Sequence, residues 1–291
     1  MRARFDAEKL VGTEVVTSLG KARVRQHLAS GGIAHVYLVD LPGLEPLALK
    51  LLRPELEARG EVVARFEREA LAASRVVHEN VLRVFESVQS DRGFRFFTAE
   101  LLVGVDLADV LSSNRRLAPA RAVRVVMGAA AGLAAAHAVG VVHRDVKPEN
   151  LFLQHAPDGR EVVKIVDFGA AWLEGETTPA SSIRITMSSG FVGTPGYLSP
   201  EQAEGATGKP TADVYSLGVV LYEVIAGKPP YAGGSFMDVV IRHSRDPIPT
   251  LSRVSPELAS AVRTALAKSP TDRFPNMEAF AAALARTPEH G

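Results

Sequence analysis

Four residues near the middle of this 291-residue chain have the types and spacing for phosphoryl chemistry. The run His143-Arg144-Asp145-Val146-Lys147-Pro148-Glu149-Asn150 is followed, seventeen residues after its Asn, by Asp167-Phe168-Gly169. Moving a phosphoryl group requires a side chain to orient and deprotonate the attacking hydroxyl, and a divalent metal to neutralise phosphate charge. An Asp, a Lys and an Asn at this spacing, with a second Asp beyond a short hairpin, can supply those functions. Either carboxylate alone would read as an exposed loop acid. The eight-residue block together with the downstream Asp-Phe-Gly does not arise by chance.

A second pair lies upstream. Lys50 closes Leu47-Ala48-Leu49-Lys50 in a strand, and a helix follows with Arg65-Phe66-Glu67-Arg68-Glu69-Ala70. A lone Lys on a strand is most often solvated, so its partner matters. Glu69 lies three after Phe66 and four before Ala73, on the apolar face. Glu67 points about 100° away from Phe66. Phase selects Glu69.

These motifs resemble the signature set of eukaryotic-type (Hanks-type) serine/threonine protein kinases, in their bacterial branch. The resemblance runs from about Lys21 to about Leu284. It implies ATP and Mg²⁺ as cofactors, with Mn²⁺ as an alternative. By it Asp145 is the base, Lys147 neutralises the γ-phosphate in transit, and Asn150 and Asp167 hold the metal. Lys50, oriented by Glu69, holds the α- and β-phosphates. Glu100 to Leu102 offer backbone groups to adenine, Val36 packs on its ring, and Ala48 and Phe152 join the nucleotide-binding set. Ala99 gates the pocket behind the adenine, and so small a side chain leaves that pocket open. Asp106 reads equally as a ribose or substrate contact and as an acid at a helix N-terminus.

One element departs from the family. Where the pattern G-x-G-x-x-G-x-V is expected, the chain has Ala29-Ser30-Gly31-Gly32-Ile33-Ala34-His35-Val36. Only the middle glycine, Gly31, is kept. Gly32 still allows a tight turn, but alanine restricts close approach and positive φ. Weaker or slower nucleotide handling is expected.

The 35-residue stretch from Asp167 to Glu201 ends Gly193-Thr194-Pro195-Gly196-Tyr197-Leu198-Ser199-Pro200-Glu201. Thr194 here and Lys147 in the catalytic block match the Ser/Thr branch. Arg144 resembles the receiver of a phosphate on this segment, which would add roughly −1.5 to −2 charge. Thr186 and Ser188 are the expected autophosphorylation sites. The bland reading, a flexible polar loop, covers Thr177, Thr178, Ser181, Ser182 and Ser189. Asp213 resembles the anchor of the catalytic-loop backbone, and Arg273 the partner of Glu201 in a buried ion pair.

The elements that must position these residues follow from periodicity. Strands are expected at Ala22–Ala29, Ala34–Leu41, Leu47–Leu51, Val81–Val88 and Phe94–Ala99. Val63, Phe66, Ala70 and Ala73 mark a helix over Glu61–Val77. Beyond Gly104 long helices dominate, with short strands at Leu151–Leu153 and Val162–Ile165. A helix from about Thr211, as N-cap, to Ala226 stops at Gly227. The expected fold class is α+β, a bilobal protein-kinase fold. A mostly antiparallel β N-lobe with one long helix (21–99) leads through a hinge (100–104) to a mostly α C-lobe (105–284). Residues 1–20 form an extension and 285–291 a tail, with the ligand in a cleft between lobes.

Composition narrows the partners. Thirty-three basic residues balance thirty-three acidic ones, so nothing favours nucleic acid, and there is no cysteine for disulfides. No secretory signal opens the chain, and Arg124 and His137 argue against a membrane span over Ala122–Val142. A cytoplasmic location, protein substrates and a transient homodimer for autophosphorylation are expected. An ATP-binding pseudokinase scaffold is the alternative motivated by the lost glycines. A small-molecule kinase would lack the segment ending at Glu201.

Overall fold

The computed structural model describes residues 7–89, 94–174, 195–206 and 209–290, which pack as two compact units. The first runs to His78 and takes in Leu82–Val103 and Asp167–Ala170. The second comprises Glu79–Val81, Gly104–Val166 and the described residues from Ala171 onward.

The first unit is an antiparallel sheet with one helix. Its strands are β1 (Glu14–Thr17), β2 (Gly20–Ser30), β3 (Ala34–Asp40), β4 (Leu47–Leu52), β5 (Val84–Gln89) and β6 (Arg95–Glu100), in the order β1-β2-β3-β4-β6-β5. Alternation along the strands gives one buried face, where Val24, Tyr37, Val39, Leu49 and Phe96 cluster. Ala7 and Leu10, in a 3-10 turn ahead of β1, pack against that cluster, and the Tyr37 hydroxyl donates to the Ala7 carbonyl at 3.1 Å. Residues outside the family resemblance thus complete this core.

The helix α1 spans Gly60–Ser74 and stops short of the expected Val77, which is 83% exposed and has no apolar surface to hold it. Val81 lies outside β5 and bridges Ile165 within the second unit.

The second unit carries a three-stranded sheet of β7 (Gly104–Asp106), β9 (Leu151–His155) and β10 (Glu161–Ile165), and a two-stranded ribbon of β8 (Val141–Val142) and β11 (Trp172–Leu173). Gly104 is obligatory where β7 crosses β9: its φ is +155° and a Cβ would lie 2.0 Å from the Leu153 carbonyl oxygen. The helices are α2 (Leu107–Asn114), α3 (Pro119–Ala138), α4 (Pro200–Ala203), α5 (Pro210–Ala226), α6 (Phe236–Arg245), α7 (Pro256–Ala265) and α8 (Met277–Leu284). α5 is buried on every side from Ala212 to Tyr222, the mark of a central core helix. Its N-cap is Lys209, two residues before the expected Thr211, and Pro210 takes the first position, where its missing N–H costs nothing. Gly227, at φ 81°, closes it as expected. Among the described residues no helix is long and apolar enough to cross a membrane.

Candidate active site

In the first unit β4 and α1 bring Lys50 and Glu69 together, Nζ to Oε1 at 2.5 Å. Glu69 is 3% exposed and its second oxygen has no hydrogen-bond partner, so Lys50 carries its neutralisation. Burial pushes the Glu69 carboxyl up, opposed by the Lys50 charge. Burial works against the Lys50 ammonium too, yet Glu69, then Asp167, hold its pKa above the ordinary lysine value. Glu67 turns away to Arg95, at 2.8 Å. Asp167 sits at φ 58°, a left-handed conformation that Asp tolerates, and its Oδ1 accepts from the Gly169 N–H at 3.2 Å.

The β2–β3 turn closes through Gly31 N–H donating to the Ala34 carbonyl at 2.8 Å. None of Ala29, Gly31, Gly32 and Ala34 has positive φ, so the two alanines occupy this turn without the strain of a left-handed backbone. The Ser30 hydroxyl lies between His27 Nε2, at 3.0 Å, and His35 Nδ1, at 2.8 Å. Val36 and Ala48, on β3 and β4, are both half-buried. At the segment after β6, the Glu100 N–H donates to the Arg83 carbonyl at 2.9 Å, so that amide is committed to the protein. Leu102 follows it, half-buried.

In the second unit the catalytic block folds onto itself. Lys147 Nζ lies 2.8 Å from Asp145 Oδ2. The Asn150 amide nitrogen donates to the Asp145 carbonyl at 2.7 Å and to its carboxylate at 3.2 Å. That leaves the Asn150 side-chain oxygen as its acceptor atom.

A buried carboxylate holds the loop from below. Asp213, on α5, accepts from the backbone N–H groups of His143 (2.9 Å) and Arg144 (2.8 Å), and pairs with His137 Nε2 at 2.8 Å. Burial alone would raise the Asp213 pKa; His137, His143 and the Arg144 N–H together outweigh it and the net direction is down. Arg144, at φ 66°, sets its guanidinium over the Trp172 ring. Glu201 and Arg273 form a bidentate pair, both contacts 2.7 Å, with the Arg side chain fully buried. Asp106 caps α2, accepting from the Asp109 N–H at 2.8 Å, which is the structural one of its two readings. Phe152 lies half-buried on β9 opposite Asp106 and Lys164. Thr186, Ser188 and Thr194 lie outside the described residues.

Sequence reasoning missed a cavity of about 460 Å³ beside the catalytic loop, lined among others by Arg115, Glu149, Tyr197 and Glu223. The Tyr197 hydroxyl donates to Glu223 at 2.5 Å. Burial raises the Glu223 pKa, the Tyr197 hydrogen bond opposes it and Glu149 adds to it. Glu149 stands in the catalytic block and Glu223 in the helix expected from about Thr211 to Ala226, but their meeting is tertiary and no spacing announces it.

A β-rich unit carrying a paired Lys–Glu and a helical unit carrying a braced Asp-Lys-Asn loop define a phosphotransferase-type catalytic domain. The chain belongs to the protein kinase domain family, which matches residues 22–284. It is 36% identical over 287 residues to the serine/threonine-protein kinase pkn3 of Myxococcus xanthus, covering 96% of this chain and 51% of that protein. To the serine/threonine-protein kinase PkaB of Streptomyces coelicolor it is 40% identical over 253 residues, covering 86% and 59%. Among solved structures, the kinase domain of PknI from Mycobacterium tuberculosis aligns with a TM-score of 0.67 at 28% identity, covering 90% of this chain and 94% of that one. The resemblance to bacterial Hanks-type kinases therefore stands. The chain spans about half the length of the curated relatives it matches.

Proposed function

We propose that this domain transfers the γ-phosphate of ATP to serine and threonine hydroxyls of proteins. The observation that carries the reading is Asp145, fixed by Lys147 at 2.8 Å and by Asn150 at 3.2 Å. A carboxylate so held can orient a hydroxyl and take its proton, while the Lys147 ammonium offsets charge on the phosphoryl group. Lys50 supplies the charge for the α- and β-phosphates, and Glu69 keeps it aimed.

Asp167 and Asn150 would hold the metal. A carboxylate and an amide oxygen are hard donors suited to Mg²⁺ or Mn²⁺, and Asn150 has spent its nitrogen on Asp145. When bound, the metal neutralises phosphate charge.

The catalytic domain in this reading is 21–284, flanked by 1–20 and 285–291, and acts in the cytoplasm. Phosphate on Thr186 or Ser188, added within a transient homodimer and received by Arg144, would order the segment leading to Thr194. An ATP-binding scaffold was the reading suggested by the missing glycines. A β2–β3 turn without positive φ weakens that motive.

Mass spectrometry of the protein after incubation with ATP and Mg²⁺ tests the proposal. New phosphoserine or phosphothreonine is expected, on Thr186 or Ser188 first. An unmodified chain that also leaves a generic protein acceptor unmodified would overturn it.

A further inference from the structure

A second cation stands beside the carboxylate assigned to metal. Arg65, on α1 one turn before Glu69, places Nη2 3.9 Å from Asp167 Oδ2. Gly169 makes the room: a Cβ there would lie 2.9 Å from Arg65 Nε and 3.0 Å from its Cγ. Gly169 has no positive φ, so it is needed here for space and not for backbone freedom. Arg65 Nε is buried with no hydrogen-bond partner among the described residues, a cost that an arginine serving only as surface charge would avoid by turning to solvent.

Four charges therefore alternate within this unit: Lys50 on Glu69, and Arg65 on Asp167. Their sum is zero. A divalent ion on Asp167 would add two positive charges close to the guanidinium, where partial burial strengthens repulsion.

We propose that Arg65 is a positioning residue that stands in for the metal. It holds the Asp167 carboxylate ready before the ion arrives and lowers the ion's affinity by repulsion once it is there. The metal is thereby kept exchangeable, and occupancy is coupled to the helix that carries Glu69. This inference rests on Asp167 being a metal ligand.

Mn²⁺ is the probe, titrated into the full chain saturated with a non-hydrolysable ATP analogue, with free Mn²⁺ read by electron paramagnetic resonance. Arg65→Met and Arg65→Gln should bind Mn²⁺ about three- to tenfold more tightly than wild type, the scale of one nearby charge in a partly screened site. Arg65→Lys should stay near wild type. The gap should shrink as salt rises from about 0.05 M to about 0.5 M, because the Debye length falls from about 14 Å to about 4 Å. Neutral variants with equal or weaker affinity, or a gain indifferent to salt, would overturn the inference. Asp167→Asn separates the two levels: if it binds Mn²⁺ as wild type does, the metal reading of Asp167 fails and the inference falls with it.

Discussion

Lys50 Nζ and Glu69 Oε1 lie 2.5 Å apart, and the second Glu69 oxygen is buried without a partner. Among the described residues the lysine is thus the carboxylate's only neutralising contact at hydrogen-bond distance. Removing it strands a charge in the interior, which is a stability effect as well as a functional one. Lys50→Met is expected to lower unfolding free energy by about 3 kcal/mol, the usual cost of a stranded buried charge. Glu69→Gln leaves the Lys50 ammonium instead, whose side chain is more exposed (25% against 4%) and still has Asp167 nearby, so it should cost less. Urea unfolding of both variants checks the order; a more damaging Glu69→Gln would refute it.

Arg273 is braced more heavily than its partner. Besides both Glu201 oxygens, it donates to the carbonyls of Thr211 (2.9 Å), Ala267 (2.8 Å) and Lys268 (3.0 Å). Arg273→Ala should therefore cost about 3–5 kcal/mol. Glu201→Gln, which leaves the three carbonyls satisfied, should cost less. Thermal unfolding of the pair is the measurement, and equal losses would count against this division.

His243 gives the fold a pH dependence. Its Nδ1 lies 2.8 Å from the Tyr215 hydroxyl, and burial, then the Lys268 charge, push its pKa down to about 4. Below about pH 6.5 the unfolded chain takes up a proton that the folded chain refuses. Stability carried by neutral His243 is present above that pH and lost as pH falls toward 4, at a slope approaching about 1.4 kcal/mol per unit. Unfolding of wild type and His243→Gln at pH 7.5 and 5 should show a shallower slope in the variant. Parallel slopes would exclude His243 as the source.

Ala99 is 4% exposed and lies across the sheet from Ala48 and Val84. Adenine-site inhibitors bearing a bulky group directed behind the base should bind better to wild type than to Ala99→Met. Competition binding with one such compound and its unsubstituted parent is decisive. A ratio unchanged by the variant would show that Ala99 does not set the depth of the pocket.

What the sequence made legible was local or periodic. Helical phase separates Glu69 from Glu67, because 100° per residue converts spacing into facing. A fixed spacing joins Asp145, Lys147 and Asn150, because five residues of one loop can reach each other. The cap of α5 lies two residues before the expected one: Thr211 has capping chemistry, but Pro210 prefers the first helical position. Residues 1–20 read from sequence as an extension, yet Ala7, Leu10 and Val15 within them pack on the sheet core; so short a segment has too little periodicity to show it. Arg65 beside Asp167, and Glu149 in one cavity with Glu223, depend on residues far apart in the chain meeting in space. No window of sequence contains such a meeting.

The central claim is transfer from ATP with Asp145 as base. Wild type and Asp145→Asn, each incubated with radiolabelled ATP, divalent metal and a generic protein acceptor, test it most directly. Lys147 and Asn150 remain able to hydrogen-bond the substituted side chain, so the loop should stay in place while proton acceptance is lost. Label is expected on serine and threonine with wild type and to fall by about 10²-fold or more with Asp145→Asn, the lower range for a general base. Incorporation by wild type no greater than by the variant would contradict the account.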